Sequence, residues 1–133
     1  MELLKDVRAY IWRNLTINNC NSYIIGGENP ILVDAGLDFC LKGVLKDIAG
    51  DGVDPDKIEL VISTHSHPDH FEGIKYFEKK GVKMALHPDE DRFMQEHGRG
   101  FYDMFGLSFP EYRVDFFLKE GKFKFKNIAL KYY

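Results

Sequence analysis

The sequence has 133 residues, of which 44% are hydrophobic and 29% are charged, and its formal net charge is −3. A chain of this length buries about two-thirds of its unfolded surface when it folds as one domain. Its acidic balance, with a pI of 5.9, excludes the clustered basic footprint typical of nucleic-acid binding. The N-terminus has no apolar signal region, and no stretch approaches the ~20 apolar residues of a membrane span. We therefore expect a soluble protein with neither nucleic-acid nor membrane partners.

The two cysteines, Cys20 and Cys40, are isolated and form no CxxC motif. They do not make a disulfide framework, so a reducing cytoplasm is the simplest expected location. Cys40 falls within an apolar pattern at helical spacing, which favours a packing role over a chemical one.

The first half of the chain predicts strands followed by a helix. Residues 7–17 predict one or two strands, and the turn at 26–30 joins strands at 23–25 and 31–33 into a hairpin. Apolar residues at helical spacing follow from Leu37 to Ile48, and Gly50 or Gly52 ends that helix.

The second half continues the alternation of strands and helices. A strand at 58–62 precedes a helix at 71–80 and a strand at 82–86, so the predicted order is βαβαβ. A short helix is predicted from Pro88 to Gly98, because acidic residues occupy its first turn. The last prediction is a hairpin of residues 116–119 and 122–126, which turns at Glu120-Gly121.

The most informative segment is residues 63–70, Ser-Thr-His-Ser-His-Pro-Asp-His, which places three histidines and one aspartate within six residues. Clustering that many titratable groups without a ligand is costly, so a solvated polar loop that happens to be rich in histidine is the weaker interpretation. The segment joins a strand to a helix, and open α/β sheets place their active sites on such loops.

The spacing of these side chains predicts two adjacent metal sites. His65 and His67 project the same way from an extended loop and can share one ion, whereas Asp69 and His70 lie at the turn into the helix and can reach a second ion. Imidazole nitrogen together with carboxylate oxygen suits zinc, and also iron or manganese, better than magnesium or calcium.

The segment from His65 to His70 matches the HxHxDH signature of the metallo-β-lactamase superfamily, and it resembles the glyoxalase II-like hydrolases in particular. Weaker matches lie in the expected order at residues 21–25, 31–36 and 86–88. This resemblance implies an α/β fold of the αββα sandwich type, with a mixed sheet and flanking helices. It covers the N-terminal half of that fold, so we expect residues 1–133 to form a single domain that is truncated relative to the family.

The chain departs from the family pattern in two places. Phe71-Glu72-Gly73 stands where the family usually has two adjacent glycines, so close backbone packing is not assured there. In the family, a strand like residues 127–132 is followed by a segment with the third histidine of the first site, and later by a bridging aspartate and a final histidine, none of which follows here. The resemblance therefore implies an incomplete ligand set.

The truncation also implies that one face of the sheet lacks its usual cover. Residues expected on that face are Ile24, Val33, Ile62 and Phe125. Because a large apolar face is seldom left exposed on a monomer, we expect a homo-oligomer that forms through this face.

The family resemblance implies a metal-dependent hydrolase in which a metal-bound hydroxide attacks a thioester, an ester or a lactone of a small-molecule substrate. Two zinc ions would supply the nucleophile. His65 and His67 would hold the first ion, and Asp69 and His70 the second. Asp69 is also the candidate catalytic residue, because it can steer a proton to the leaving group.

Asp34, at a predicted strand end, resembles a family carboxylate that orients the metal loop by hydrogen bonds instead of binding metal. The alternative is that Asp34 only forms the turn before Ala35-Gly36. His87 also follows a strand, but its position before Pro88 at a helix start favours a surface residue over a metal ligand.

Two alternative functions remain open from the sequence. The chain can be a metal-binding but catalytically inert fragment, or a half-domain completed by a partner chain, because a catalytic zinc normally has three protein ligands and His65 and His67 supply two. The diiron, oxygen-reducing branch of the superfamily typically has glutamate in place of the second histidine, so His67 argues against it.

Aromatic residues are dense between residues 101 and 117. The family often uses this region as one wall of the substrate groove, whereas the alternative is that these side chains cover ordinary core or the surface left bare by the missing half of the fold. The residues concerned are Phe101, Tyr102, Phe105, Phe109, Tyr112, Phe116 and Phe117.

Overall fold

The structure is a computed structural model that describes residues 1–133. Its strands are β1 (Glu2–Leu4), β2 (Val7–Tyr10), β3 (Ser22–Ile25), β4 (Ile31–Val33), β5 (Leu60–Ile62), β6 (Lys83–Leu86), β7 (Phe116–Phe117), β8 (Gly121–Phe125) and β9 (Ile128–Tyr132). Its helices are α1 (Asp38–Gly50), α2 (Pro68–Phe71), α3 (Ile74–Glu78), α4 (Pro88–Phe93) and α5 (Arg99–Met104), with a 3-10 turn at Pro55–Lys57 and a π-helical turn at Met94–Gly98.

The large sheet is mixed and contains seven strands in the order β1 to β7. The pairs from β1 to β4 are antiparallel, and those from β4 to β7 are parallel. The last two strands, β8 and β9, form a separate antiparallel hairpin. The predicted α/β fold with a mixed sheet and flanking helices is confirmed.

The parallel strands position the candidate site. In β4, β5 and β6 most side chains are buried because both faces of the sheet are covered, which explains their nearly continuous apolar sequences. Val33 pairs with Ile62 at the carboxyl ends of β4 and β5. The residues that follow these two strands, Asp34 and the loop from Ser63, therefore lie side by side.

Two predicted elements in the first part of the chain are shorter than expected. The strand prediction over 7–17 is right only as far as Tyr10, because the Trp12 indole N–H donates to the carbonyls of Asn14 and Ile17 and folds this segment into a loop. The predicted helix over 71–80 is interrupted, because the Gly73 N–H donates to the Gly36 carbonyl at 2.7 Å, a tertiary bond that replaces a helical one.

Two predictions near the C-terminus were wrong. The helix from Pro88 does not end at Gly98 but continues to Met104, since Gly98 keeps helical backbone angles. Gly98 lies directly against Phe109, where a Cβ atom would come within 2.6 Å of the ring, so the glycine is explained by packing. The predicted hairpin is also displaced: residues 116–117 join the large sheet as β7, and β8 pairs with β9 across Lys126-Asn127.

The large sheet separates two apolar clusters. The helices cover one face, where Leu41, Phe77 and Tyr102 pack over strand residues such as Ile24. The hairpin covers part of the other face, where Ile62 is buried.

The expectation of an uncovered face was wrong for two of its four residues, because Ile24 and Ile62 are both buried. Ile24 faces the helices, because neighbouring strand residues point to opposite faces, and Ile25 takes the hairpin side instead. Val33 lies on the hairpin side, and Phe125 covers that side from the hairpin. The homo-oligomer expected through this face stays a prediction.

Both cysteines are buried and free.

None of the helices combines the length and the apolar content that crossing a bilayer requires.

Candidate metal centre

The loop between β5 and α2 brings the predicted metal ligands together. The ring centroid of His65 lies 4.8 Å from that of His67 and 4.1 Å from that of His70. Asp69 joins this histidine cluster (His65, His67 and His70), since its Oδ2 atom lies 3.7 Å from Nε2 of His70. Two donors that bind one tetrahedral zinc at ~2.1 Å are separated by about 3.4 Å. The spacing of Asp69 and His70 is close to that value.

Asp34 is buried beneath the cluster, where it holds the loop through three contacts. Its Oδ1 atom accepts a hydrogen bond from the Thr64 N–H, and its Oδ2 atom accepts one from the Thr64 hydroxyl, both at 2.7 Å. The same Oδ2 atom lies 2.9 Å from Nδ1 of His70. Asp34 also has a positive φ of 60°, as in a turn. Both sequence interpretations of this residue therefore describe part of its environment.

This network determines which imidazole nitrogens are free. Asp34 is an acceptor, so the neutral imidazole of His70 carries its proton on Nδ1 and leaves Nε2 free toward Asp69. The Thr64 hydroxyl donates to Asp34 and so accepts from Nδ1 of His65, 3.0 Å away, which frees Nε2 of His65 as well. One buried carboxylate thereby orients two imidazoles, the usual arrangement beneath metal-binding histidines.

The electrostatic environment treats these two histidines differently. The hydrogen bond to Asp34 is the main reason that the pKa of His70 is raised, against the opposing effect of burial. Burial lowers the pKa of His65, and the neighbouring His70 and His67 lower it further. His65 is therefore held in the neutral form, which is the form that binds metal.

Two residues that the sequence analysis did not assign to the metal site, Glu90 and Tyr102, hold the backbone between His65 and His67. Ser66 is fully buried, and its N–H and hydroxyl both donate to Oε2 of Glu90 on α4 at 2.7 Å. The Tyr102 hydroxyl on α5 donates to the Ser66 carbonyl at 3.0 Å. The only signal for Glu90 in the sequence was its place in an acidic first turn, which is equally explained by the helix dipole.

Asp69 is held by the loop that follows β2. The side-chain amide of Asn18 donates to Oδ2 of Asp69 at 3.2 Å, and the Cys20 N–H donates to its backbone carbonyl at 3.1 Å. These contacts orient the carboxylate that is predicted both to bind metal and to move a proton.

Close backbone packing is retained at Gly73, although Phe71-Glu72-Gly73 departs from the family pattern of two adjacent glycines. A Cβ atom on Gly73 would come within 2.8 Å of the Gly36 carbonyl oxygen, so no side chain fits there. Glu72, which is buried, accepts a hydrogen bond from the Asp38 N–H at the start of α1 and forms an ion pair with Lys75. The carboxylate at this position therefore ties α1 to the end of the metal loop.

The histidine cluster and Asp69 do not form a complete metal site by themselves. No group of three or more histidine, cysteine, aspartate or glutamate side chains has its donor atoms gathered around a single point. The assignment of one ion to His65 and His67 and of a second ion to Asp69 and His70 stays a prediction.

His87 does not join the cluster. Its Nδ1 atom accepts a hydrogen bond from the Asp89 N–H at the start of α4, and its ring stacks on Tyr132 at 6.2 Å. This placement agrees with the interpretation of His87 as a residue outside the metal site.

The aromatic segment divides between core and site. Tyr102 is completely buried in the core, while Phe109 and Tyr112 pack against that core. Phe101 packs against the core as well, but its ring also lies 5.3 Å from the His67 ring, and Phe105 is largely exposed. The core interpretation is therefore confirmed for most of these residues, whereas a wall of a substrate groove stays a prediction.

Comparison with known proteins gives a consistent family match. The family model of the metallo-beta-lactamase superfamily matches residues 15–127. Human metallo-beta-lactamase domain-containing protein 1 is 42% identical over 50 residues, which are 38% of this chain and 19% of that protein. The mouse protein of the same name is 40% identical over 58 residues, 44% of this chain and 22% of that protein. The matched residues thus make up about a fifth of the length of each of these relatives.

Solved structures match over most of this chain. BJP-1, a subclass B3 metallo-beta-lactamase of Bradyrhizobium japonicum, has a TM-score of 0.72 and 24% identity, covering 84% of this chain and 44% of that one. The metallo-beta-lactamase FEZ-1 of Legionella gormanii has a TM-score of 0.73 and 18% identity, covering 86% and 46%. At these identities the likeness concerns the fold, and this chain spans less than half the length of either protein.

Proposed function

This chain belongs to the metallo-β-lactamase superfamily, and from that premise we propose that its histidine cluster and Asp69 bind two divalent metal ions, preferentially zinc, for the hydrolysis of a thioester, an ester or a lactone. Family membership supports a hydrolase-type function, and the glyoxalase II-like substrate class is our inference from the HxHxDH segment. The observation that carries the proposal is the position of Asp34. It leaves Nε2 free on both His65 and His70, which lie in ring contact.

Each residue of the site has a separate proposed role in metal binding, orientation or proton transfer. His65 and His67 would hold one ion, and Asp69 and His70 the other. When bound, such ions lower the pKa of a coordinated water to ~7 and polarise a substrate carbonyl. Asp34 keeps the Nδ1 protons on the two imidazoles it orients, so that their rings do not rotate. Asp69, held by Asn18, would pass a proton to the leaving group.

A second candidate function is metal binding without turnover by this chain alone. It is supported by the absence of any group of three or more candidate donors around a single point, since a catalytic zinc normally has three protein ligands. In that case a donor from a partner chain or from another polypeptide segment would complete the site.

Metal binding is the first test. The chain is loaded with zinc, dialysed against a mild chelator and assayed for bound metal, and the His67→Ala variant is expected to retain less. His97→Ala is the matched control, because His97 is 66% exposed and lies outside the cluster. Equal metal contents in wild type and His67→Ala would contradict the proposed assignment.

The rate of substrate hydrolysis distinguishes the two candidate functions, a hydrolase and a metal-binding chain without turnover. Enzymes typically work at roughly 1–10³ s⁻¹, and loss even of a residue that only orients a ligand costs about 10–100-fold. We therefore expect the zinc-loaded chain to hydrolyse a chromogenic thioester at least about tenfold below that range. Turnover above that of the zinc-free chain, even at such a low rate, and its loss in His67→Ala would favour the first candidate, whereas bound metal without turnover would favour the second.

A further inference from the structure

A cavity of about 380 Å³ opens beside the histidine cluster, between the loop after β2, the start of α1 and the end of α5. His67 and Asp69 line this cavity, so a molecule bound in it lies against the proposed metal site. Its apolar lining consists of Leu37, Phe39, Pro68, Phe101, Phe105 and Leu107.

An aromatic wall leads from the candidate ligands into the cavity. The Phe101 ring lies 5.3 Å from the His67 ring, and the Phe105 ring lies a further 5.3 Å from Phe101. Phe39 and Phe105 remain 64% and 58% exposed, so they contribute little to the core. Large apolar side chains exposed together in a concave surface are typical of ligand pockets.

The charges around the cavity disfavour an anionic ligand. No lysine or arginine lines it, and Asp69 is its one carboxylate. The side-chain amide of Asn18 is already bonded to Asp69. A carboxylate or phosphate placed against the aromatic wall, beyond His67 and Asp69 and the ions proposed to bind there, would lose its hydration without gaining a cationic partner, which is strongly unfavourable.

We propose that this cavity takes an uncharged aryl or alkyl group of the substrate, so that the chain selects substrates with a neutral apolar group over those with an anionic one. This substrate class rests on the proposed hydrolase function. An engineered cavity of ~150 Å³ holds one benzene. The volume of about 380 Å³ therefore has room for a phenyl ring and several methylene groups.

The test uses three ketones, which the chain cannot hydrolyse, and the metal-free 133-residue protein. They are 4-phenylbutan-2-one, butan-2-one and 4-(4-carboxyphenyl)butan-2-one, and binding is followed by NMR shifts of the backbone amides. The phenyl ketone is expected to shift amides within residues 101–107. It should bind at least about tenfold more tightly than butan-2-one, because the ring removes apolar area from water. The carboxylate analogue should bind at least about tenfold more weakly than the phenyl ketone.

Substitutions locate the binding. Phe105→Ala and Phe39→Ala are each expected to weaken binding of the phenyl ketone about fivefold, and their exposure makes misfolding a minor concern. Phe117→Ala is the matched control, since Phe117 is 50% exposed and does not line the cavity. Equal losses in all three variants would overturn the assignment of the cavity.

Two further outcomes would also overturn the proposal. One is binding of the carboxylate analogue as tight as that of the phenyl ketone. The other is a shift of the same amides on dilution alone, which would mean that a second copy of the chain occupies the cavity. Because the ketones are tested without metal, loss of ketone binding with normal zinc retention would refute only the substrate class. Failure of the wild-type chain to retain zinc, together with normal ketone binding, would refute the proposed function and leave only the preference of the cavity for a neutral apolar group.

Discussion

Glu90 accepts two hydrogen bonds of 2.7 Å from Ser66, one from the backbone N–H and one from the hydroxyl. Ser66 separates the two histidines proposed to share an ion, and it is fully buried. The first turn of α4 therefore holds the backbone between the two imidazoles, although it lies 24 residues further along the chain.

Glu90→Ala is expected to weaken zinc binding about tenfold or more, because both Ser66 donors lose their acceptor and the loop is free to rotate His65 and His67. Glu90→Gln should recover most of the affinity, since its amide oxygen can still accept. Affinities are measured by competition with a chromogenic chelator.

The control for this prediction is Asp89→Ala. Asp89 lies in the same turn but bonds to Arg92 at the surface, so its removal changes the charge of the turn without touching Ser66. A loss as large as that of Glu90→Ala would show that helix charge, not loop position, governs the affinity.

Asp34→Asn is expected to lower zinc affinity about 10–100-fold, because the asparagine amide cannot act as the acceptor for both Thr64 and His70. The same substitution should lower the pKa of His70, since the hydrogen bond to Asp34 is the main cause of its elevation. Proton NMR titration of the metal-free chain measures this change directly. An unchanged His70 pKa would contradict the geometry described for Asp34.

The raised pKa of His70 also predicts a pH dependence of stability. Its contribution is fully present below the ordinary histidine pKa of about 6.5 and is lost as the pH rises through the raised value. The difference in unfolding free energy between wild type and Asp34→Asn should therefore be larger at pH 5 than at pH 9. Urea unfolding at the two pH values checks the sign, with Asp103→Asn, an exposed carboxylate, as the control.

Tyr102→Phe is expected to destabilise the fold by about 1–3 kcal/mol, because the Ser66 carbonyl loses its buried donor. Tyr133→Phe removes the same hydroxyl from a side chain that is 86% exposed and should change stability by less than about 0.5 kcal/mol. Urea denaturation compares the two variants. Equal stabilities would mean that the Ser66 contact contributes nothing.

Gly73→Ala is expected to destabilise the protein by about 1–3 kcal/mol, since the new methyl group would meet the Gly36 carbonyl oxygen at 2.8 Å. Gly43→Ala provides the opposite case. Gly43 lies within α1, and no atom of the surrounding structure comes within 4 Å of the place that an alanine methyl group would take, so alanine should stabilise the helix by about 0.5–1 kcal/mol. Thermal unfolding of both variants tests the two signs together.

Several parts of the fold were predictable because they depend on neighbours in the sequence. The hairpin of β3 and β4, the helix α1 and the parallel strands β5 and β6 each have a local apolar pattern. The elements that were wrong depend on distant contacts. Gly98 resembles a helix end in the sequence, but its contact with Phe109 makes it a packing position.

The sequence by itself determined the family and the proximity of the four candidate ligands, because HxHxDH places them within one short loop. Only the tertiary structure decided how those ligands are held. Asp34 meets His70 across 36 positions, and Tyr102 meets Ser66 across the same separation. A hydrogen bond between distant residues leaves no periodic pattern in the chain, so it becomes visible only once the sheet and helices bring its two ends together.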